Sequence, residues 1–184
     1  MRMTEQDLLR ALQDNTAERC VGISAVRGQP AGTLSACRNF FRGVRLSQVP
    51  CVERTALDRW LNQQTSRLRN RLPNTRKPWG IARKTLNLFL RDVVENKRLA
   101  DVYRLTRIHN WLEVPMDGVV ARRLRADARP GALPVWPGLS RLNWRTHALY
   151  QKAAAQTAEQ YGVDRVDLDL VFWTDGRRQN ERTT

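Results

Sequence analysis

The run Val166-Asp167-Leu168-Asp169-Leu170-Val171-Phe172-Trp173 decides the fold class. Val166, Leu168, Leu170 and Phe172 alternate with Asp167, Asp169, Val171 and Trp173, and a period of two is the mark of a strand. A lone strand has nothing to receive its backbone hydrogen bonds, and no second convincing strand is visible in the chain. Residues 167–174 are therefore expected to form a short helix entered through an aspartate, and the chain to be all-α.

Outward from that run the periodicity is helical. Residues 139–161 predict a long helix that stops before Gly162, a residue suited to the left-handed position after a helix end. A Pro/Gly-rich loop precedes it. Before the loop, Pro115 is expected to open a helix carrying Val119, Val120 and Leu124, because proline is tolerated in a first turn. Further helices are predicted from about Arg98 to His109 and from about Gly80 to Asn96, the latter with Ile81, Leu88, Phe89 and Val93 inward. Pro73 and Pro78 bracket a linker. From Glu53 to Leu72, the residues Leu57, Trp60, Leu61, Leu68 and Leu72 make one stripe of an Arg-rich helix. Leu34, Cys37, Phe40 and Phe41 give a short apolar face after a loop over 21–33, and Thr4-x-x-Asp7 reads as a capping box opening a first helix to about Asn15. The sum is a single domain over 1–184, a compact helical bundle without internal repeats.

The chain has 184 residues, with 32 Lys+Arg against 18 Asp+Glu and a formal net charge of +14. That length buries a core without help from disulfides. No apolar run of the roughly 18 residues needed to cross a bilayer exists, and the opening residues lack a secretory apolar region, so membrane association is not expected and a cytoplasmic location is, nucleoid-associated in a bacterium. Cys20, Cys37 and Cys51 are odd in number and lack C-x-x-C spacing. They are too few for a four-thiolate cluster and, with two distant histidines, for a structural zinc site. Reduced, partly buried thiols are expected, with no metal and no cofactor. A charge of +14 favours a polyanionic partner, because each neutralised phosphate releases counterions. The basic residues comprise 28 Arg and 4 Lys, a skew that compositional bias can also produce. Six tryptophans interleaved with arginine suit base stacking as well as phosphate binding, although most indoles of a domain serve its core.

Two segments concentrate chemistry. Trp79-Gly80-Ile81-Ala82-Arg83-Lys84-Thr85-Leu86-Asn87 reads as a turn running into a helix, with backbone N–H groups and cations near its start, a geometry that suits phosphate. Leu112-Glu113-Val114-Pro115-Met116-Asp117-Gly118-Val119-Val120-Ala121-Arg122-Arg123-Leu124 sets a carboxylate at a helix entrance, where the helix dipole favours negative charge. Taken singly, Asp117 is an ordinary cap and Lys84 an ordinary surface charge.

Together the segments resemble the helix-hairpin-helix DNA glycosylase superfamily. Gly80 to Asn87 is similar to its G-V-G-R-K-T-A-N hairpin, with Lys84 on the nucleophilic lysine, and Val114 to Leu124 is similar to its V-P-V-D-T-H-V motif, with Asp117 on the essential aspartate. Leu168-Asp169-Leu170-Val171-Phe172-Trp173 resembles the L-D-x-x-x-W element of the archaeal 8-oxoguanine glycosylase/AP lyase branch, as does the separation of 33 residues between Lys84 and Asp117. Ala82 stands where the hairpin has its second glycine, and Gly118-Val119 where the second motif has Thr-His. The resemblance spans residues 79–124 and about 166–174.

It implies a helix-hairpin-helix-like DNA-binding element and a monomeric enzyme acting on double-stranded DNA that contains a damaged or modified base. Lys84 and Asp117 would be catalytic. Asp169 and Trp173, with Trp79 and Trp111 behind them, would line the pocket for the extruded base, and Arg76, Lys77, Gly80, Ala82 and Arg83 would meet the DNA backbone. The implied reaction is base excision with AP lyase activity, oxidised guanine being the favoured target. Three other readings compete: a glycosylase that removes hypermodified bases from phage DNA as antiviral defence, a catalytically silent hairpin DNA-binding protein, and a basic helical scaffold for another protein.

Overall fold

Thr4 starts the first helix in the way its sequence requires. Its hydroxyl accepts a hydrogen bond from the Asp7 amide while the Asp7 carboxylate accepts one from the Thr4 amide, both at 3.1 Å. In the computed structural model, which describes residues 3–181 and the side chains of residues 3–174, eight α-helices follow one another. They are α1 (Glu5–Arg19), α2 (Thr33–Arg42), α3 (Arg54–Arg71), α4 (Trp79–Glu95), α5 (Lys97–Tyr103), α6 (Gly118–Asp127), α7 (Trp144–Tyr161) and α8 (Leu168–Glu181). No strand occurs among the described residues.

The deciding run is helical. A 3-10 turn over Arg165–Asp167 leads into α8, where Leu168 and Phe172 are buried at i and i+4 while Leu170 is exposed. The alternation therefore breaks at Leu170, the one apolar member of the set that faces solvent.

Several boundaries differ from the sequence reading: α1 runs on to Arg19 rather than ending near Asn15, and α8 runs to Glu181 rather than 174. The helix expected over 98–109 splits at Arg104, whose left-handed backbone (φ 59°) ends α5, and Leu105–Trp111 continues as 3-10 helix. Leu105 and Ile108 are both fully buried. Their spacing of three stacks them on one edge of a 3-10 helix, a geometry that the three-residue repeat of that helix provides. Pro115 does not open α6. It lies in an extended segment, and the helix starts after Asp117, whose Oδ1 accepts from the amides of Val119 and Val120 at 2.9 and 3.0 Å. The helix expected from 139 begins at Trp144, capped by Asn143, and ends on left-handed Gly162 as anticipated.

Two apolar clusters result. The larger is built by α1 to α5 around stacked Phe41 and Phe89, whose ring centroids lie 4.7 Å apart. The smaller gathers Val114, Met116, Val120, Leu124, Tyr150, Leu168 and Phe172 from α6, α7, α8 and the segment before α6. Helix α4 is buried along most of its length and carries the larger cluster up to the smaller one. The charged side chains of interest lie on α4 and across that seam.

Candidate active site

Consecutive residues on a helix point about 100° apart, so Arg83 and Lys84 leave α4 in different directions and reach different partners. Lys84 Nζ donates to Asp117 Oδ2 at 3.3 Å. The lysine side chain is one-tenth exposed and the aspartate one-quarter. Asp117 divides its two oxygens: Oδ1 caps α6 and Oδ2 receives the lysine. The pair joins α4 to α6, and it brings together the two residues that the separate sequence segments supplied.

Arg83 serves a buried network. Its Nε and Nη2 donate to the two oxygens of Glu113, each at 2.7 Å, and its Nη1 donates to Thr65 Oγ1 at 3.1 Å. Glu113 Oε2 also accepts from Asn87 Nδ2 at 2.8 Å and lies 2.9 Å from His147 Nε2. A carboxylate needs a donor there, so the imidazole carries its proton on Nε2. Burial alone raises the Glu113 carboxyl, but Arg83 and His147 outweigh it and hold the group well below the usual carboxylate range. A second clamp acts one residue on, where the Gln151 carboxamide accepts from the Val114 amide at 3.2 Å and donates to its carbonyl at 2.8 Å. These contacts fix the extended segment against α4 and α7, and so fix Asp117 opposite Lys84.

Two turns along α4 from Lys84, Arg91 Nη1 donates to Asp169 Oδ2 at 2.6 Å. Burial pushes the Asp169 carboxyl up, with Arg91 opposing the shift. Arg91, Asp169, Leu170, Trp173 and Thr174 line a cavity of about 370 Å³, and the Trp173 side chain is about half exposed there. Asp169 and Trp173 thus share a cavity, as their i, i+4 spacing predicts.

Other expected site residues lie elsewhere. Trp79 packs edge-on against His147, with centroids 5.0 Å apart, and lines a different cavity. Trp111 is half-buried against the larger core. Neither lines the Arg91–Asp169–Trp173 cavity. Of the five residues expected to meet the DNA backbone, only Arg76 is exposed. Lys77 is half-buried and donates through Nζ to the carbonyls of Asn70 and Leu72 at 3.0 and 2.6 Å, closing the end of α3. Gly80, Ala82 and Arg83 are buried. Residue 79 already begins α4, so Gly80 sits in a helical first turn, and Arg83 is committed to Glu113.

Sequence reading missed Arg91, Glu113, His147 and Gln151 as organising residues. Arg91 is seven residues after Lys84, so helical phase alone puts the two on one face. Glu113 and His147 carry no local signal, since their partners lie 30 and 34 residues away.

Cysteine chemistry has no footing at this site. Burial pushes the Cys37 thiol up to about 11 and the Cys20 thiol up to about 12, so both stay protonated at neutral pH. His109, Asp164 and Asp167 form the set with metal-ligand spacing among the described residues, their donor atoms within 4.8 Å of one another, apart from the Lys84–Asp117 pair. No described helix is long and apolar enough to cross a membrane. No protein-family model, curated protein or solved structure matches this chain.

Proposed function

We propose that this chain is a DNA N-glycosylase with AP lyase activity, using Lys84 as nucleophile and Asp117 as its carboxylate partner. The observation that carries the reading is the 3.3 Å contact between Lys84 Nζ and Asp117 Oδ2 across the seam. A lysine attacks only after losing its proton, and a carboxylate within hydrogen-bond reach is the group to take it. Attack of the amine at C1′ forms the C–N bond while the base leaves with the electrons of the glycosidic bond. Asp117, neutral once it holds that proton, passes it to the departing base, and the regenerated carboxylate then faces the cation left on the sugar-linked nitrogen. Ring opening gives an imine, and loss of a C2′ proton then expels the 3′ phosphate and nicks the strand. Arginine, which keeps its proton in proteins, could not replace the lysine.

Two further features support the reading. The cavity with Asp169, Arg91 and Trp173 offers an indole face and charged hydrogen-bonding groups to a base extruded from the duplex. The net charge of +14 suits a polyanionic substrate. Oxidised guanine and hypermodified bases of phage DNA are the two substrate classes to separate.

Borohydride trapping tests the proposal, on labelled duplexes carrying 8-oxoguanine, uracil, an abasic site or glucosylated hydroxymethylcytosine. A covalent adduct on one modified duplex, lost in Lys84→Gln, is the expected result and names the substrate. Equal binding of all duplexes with no adduct and no nick overturns the catalytic assignment. The burial of Gly80, Ala82 and Arg83 bears on how DNA is held rather than on this chemistry.

A further inference from the structure

On another side of α4 from Lys84 lies a cavity of about 660 Å³, between α3, the start of α4 and the first half of α7. Neither Lys84 nor Asp117 lines it. Its volume falls in the range of small-molecule sites, and its chemistry is specific. Trp144 stands at its edge with more than half of its surface exposed, and Trp79 forms a second aromatic wall. Arg54, Lys152 and Arg165 add three cations, none of which has an acidic side chain within ion-pair distance. Arg165 spends Nε and Nη2 on the carbonyls of Leu112 and Trp111, at 3.0 and 2.7 Å. The Arg54 and Lys152 side chains make no hydrogen bond to described residues. The side chain of Asp58, the one carboxylate of the lining outside the Arg83–Glu113 pair, makes no hydrogen bond or ion pair among the described residues, though its charge acts on Arg165.

Three cations without a salt-bridge partner around a concave space, with Glu113 and Asp58 offsetting part of the charge on Arg165, suit an anion of more than one charge. Two indoles beside them, with Arg145 over the Trp144 ring at 5.4 Å and Arg83 over the Trp79 ring at 5.7 Å, suit a flat ring that stacks at the exposed Trp144. Asp58 matches a hydroxyl or amino donor on the same ligand. A phosphorylated nucleoside has all three parts, whereas inorganic phosphate lacks the ring and a plain nucleoside lacks the charge. We propose that this cavity is a second binding site, separate from Lys84 and Asp117, for a nucleoside phosphate, with phosphate held by Arg54, Lys152 and Arg165 and the base stacked on Trp144. The nucleotide is either free or one unit of a single strand.

Isothermal titration calorimetry of the full chain separates these cases. The titrants are AMP, adenosine, inorganic phosphate and a short single-stranded oligonucleotide. Heat is expected for AMP or for the oligonucleotide, with adenosine and inorganic phosphate each weaker by about tenfold or more. Which of the two binds identifies the source of the nucleotide. Trp144→Ala and the double variant Arg54→Ala/Lys152→Ala, all at exposed positions, should each weaken that binding about tenfold or more, with unchanged thermal melting. AMP binding should be the same in Lys84→Gln, so that loss of the trapping reaction and loss of this site are distinguishable. Absence of heat with both nucleotide forms at millimolar concentration, or binding unaffected by the cavity variants, overturns the proposal.

Discussion

Asp117 does two jobs with two oxygens, and substitutions can separate them. In Asp117→Asn the remaining carbonyl oxygen still caps α6 through Val119 and Val120, since asparagine is as good an N-cap as aspartate. What disappears is the acceptor facing Lys84. Thermal melting should therefore fall only by the loss of the part-buried Lys84 ion pair, while borohydride trapping falls to background. Asp117→Ala removes the cap as well and should cost a further ~1 kcal/mol of stability, read by urea unfolding. If the asparagine variant loses as much stability as the alanine variant, the cap is not what its Oδ1 supplies. Lys84 and Asp117 were both legible from their segments. Arg83 was read there as a phosphate contact, because a sequence gives a residue's type and helical phase but not a partner 30 positions away.

Among the elements, α4 depends on a close approach that only glycine permits. A Cβ on Gly80 would lie 2.4 Å from the Leu139 carbonyl oxygen and 2.7 Å from Leu142 Cβ, the first of which is backbone and cannot swing aside. Gly80→Ala should push the chain before α7 away from α4 and cost on the order of 1–3 kcal/mol, measured by urea unfolding. The helical propensity gained from alanine in place of glycine, up to about 1 kcal/mol, acts in the opposite sense and is too small to win. An alanine variant as stable as the parent would show that residues 139–142 move freely. The sequence reading assigned this glycine to a turn because glycine in a basic segment suggests one; its packing role against a segment some 60 residues later leaves no local trace. The helices themselves were more legible. Amphipathic spacing and caps gave most of them, whereas the break at Arg104 went unseen because an arginine carries no turn signal, although its backbone is left-handed.

For the molecule as a whole, the two apolar clusters meet across buried charge. Glu113 is the hub, and Glu113→Gln would leave the Arg83 guanidinium buried without its counter-ion. Removing one partner of such a pair costs ~3–5 kcal/mol, a large part of a domain's stability. The sign of the pH dependence follows from the depressed carboxyl. The stabilisation that Glu113 supplies is complete above the ordinary glutamate range and is lost as pH falls from there through its lowered value. The unfolding free energy of the parent chain should thus fall more steeply below about pH 4 than that of Glu113→Gln. Parallel curves would remove Glu113 from the acid response. The all-α class could be inferred from period and caps. The division into two clusters could not, since it depends on which helix faces meet.

The extended segment before α6 belongs to no regular element, yet Gln151 gives Val114 both of the hydrogen bonds that a neighbouring strand would give. A side-chain carboxamide here stands in for a length of backbone, at a residue that shares its apolar cluster with Met116 and Tyr150. Deuterium uptake at the Val114 amide should accordingly be as slow as in the middle of α4, and release of that proton would require α7 to part from the segment. Exchange as fast as in an open loop would show that this substitute for a strand is too loose to hold Asp117 in place.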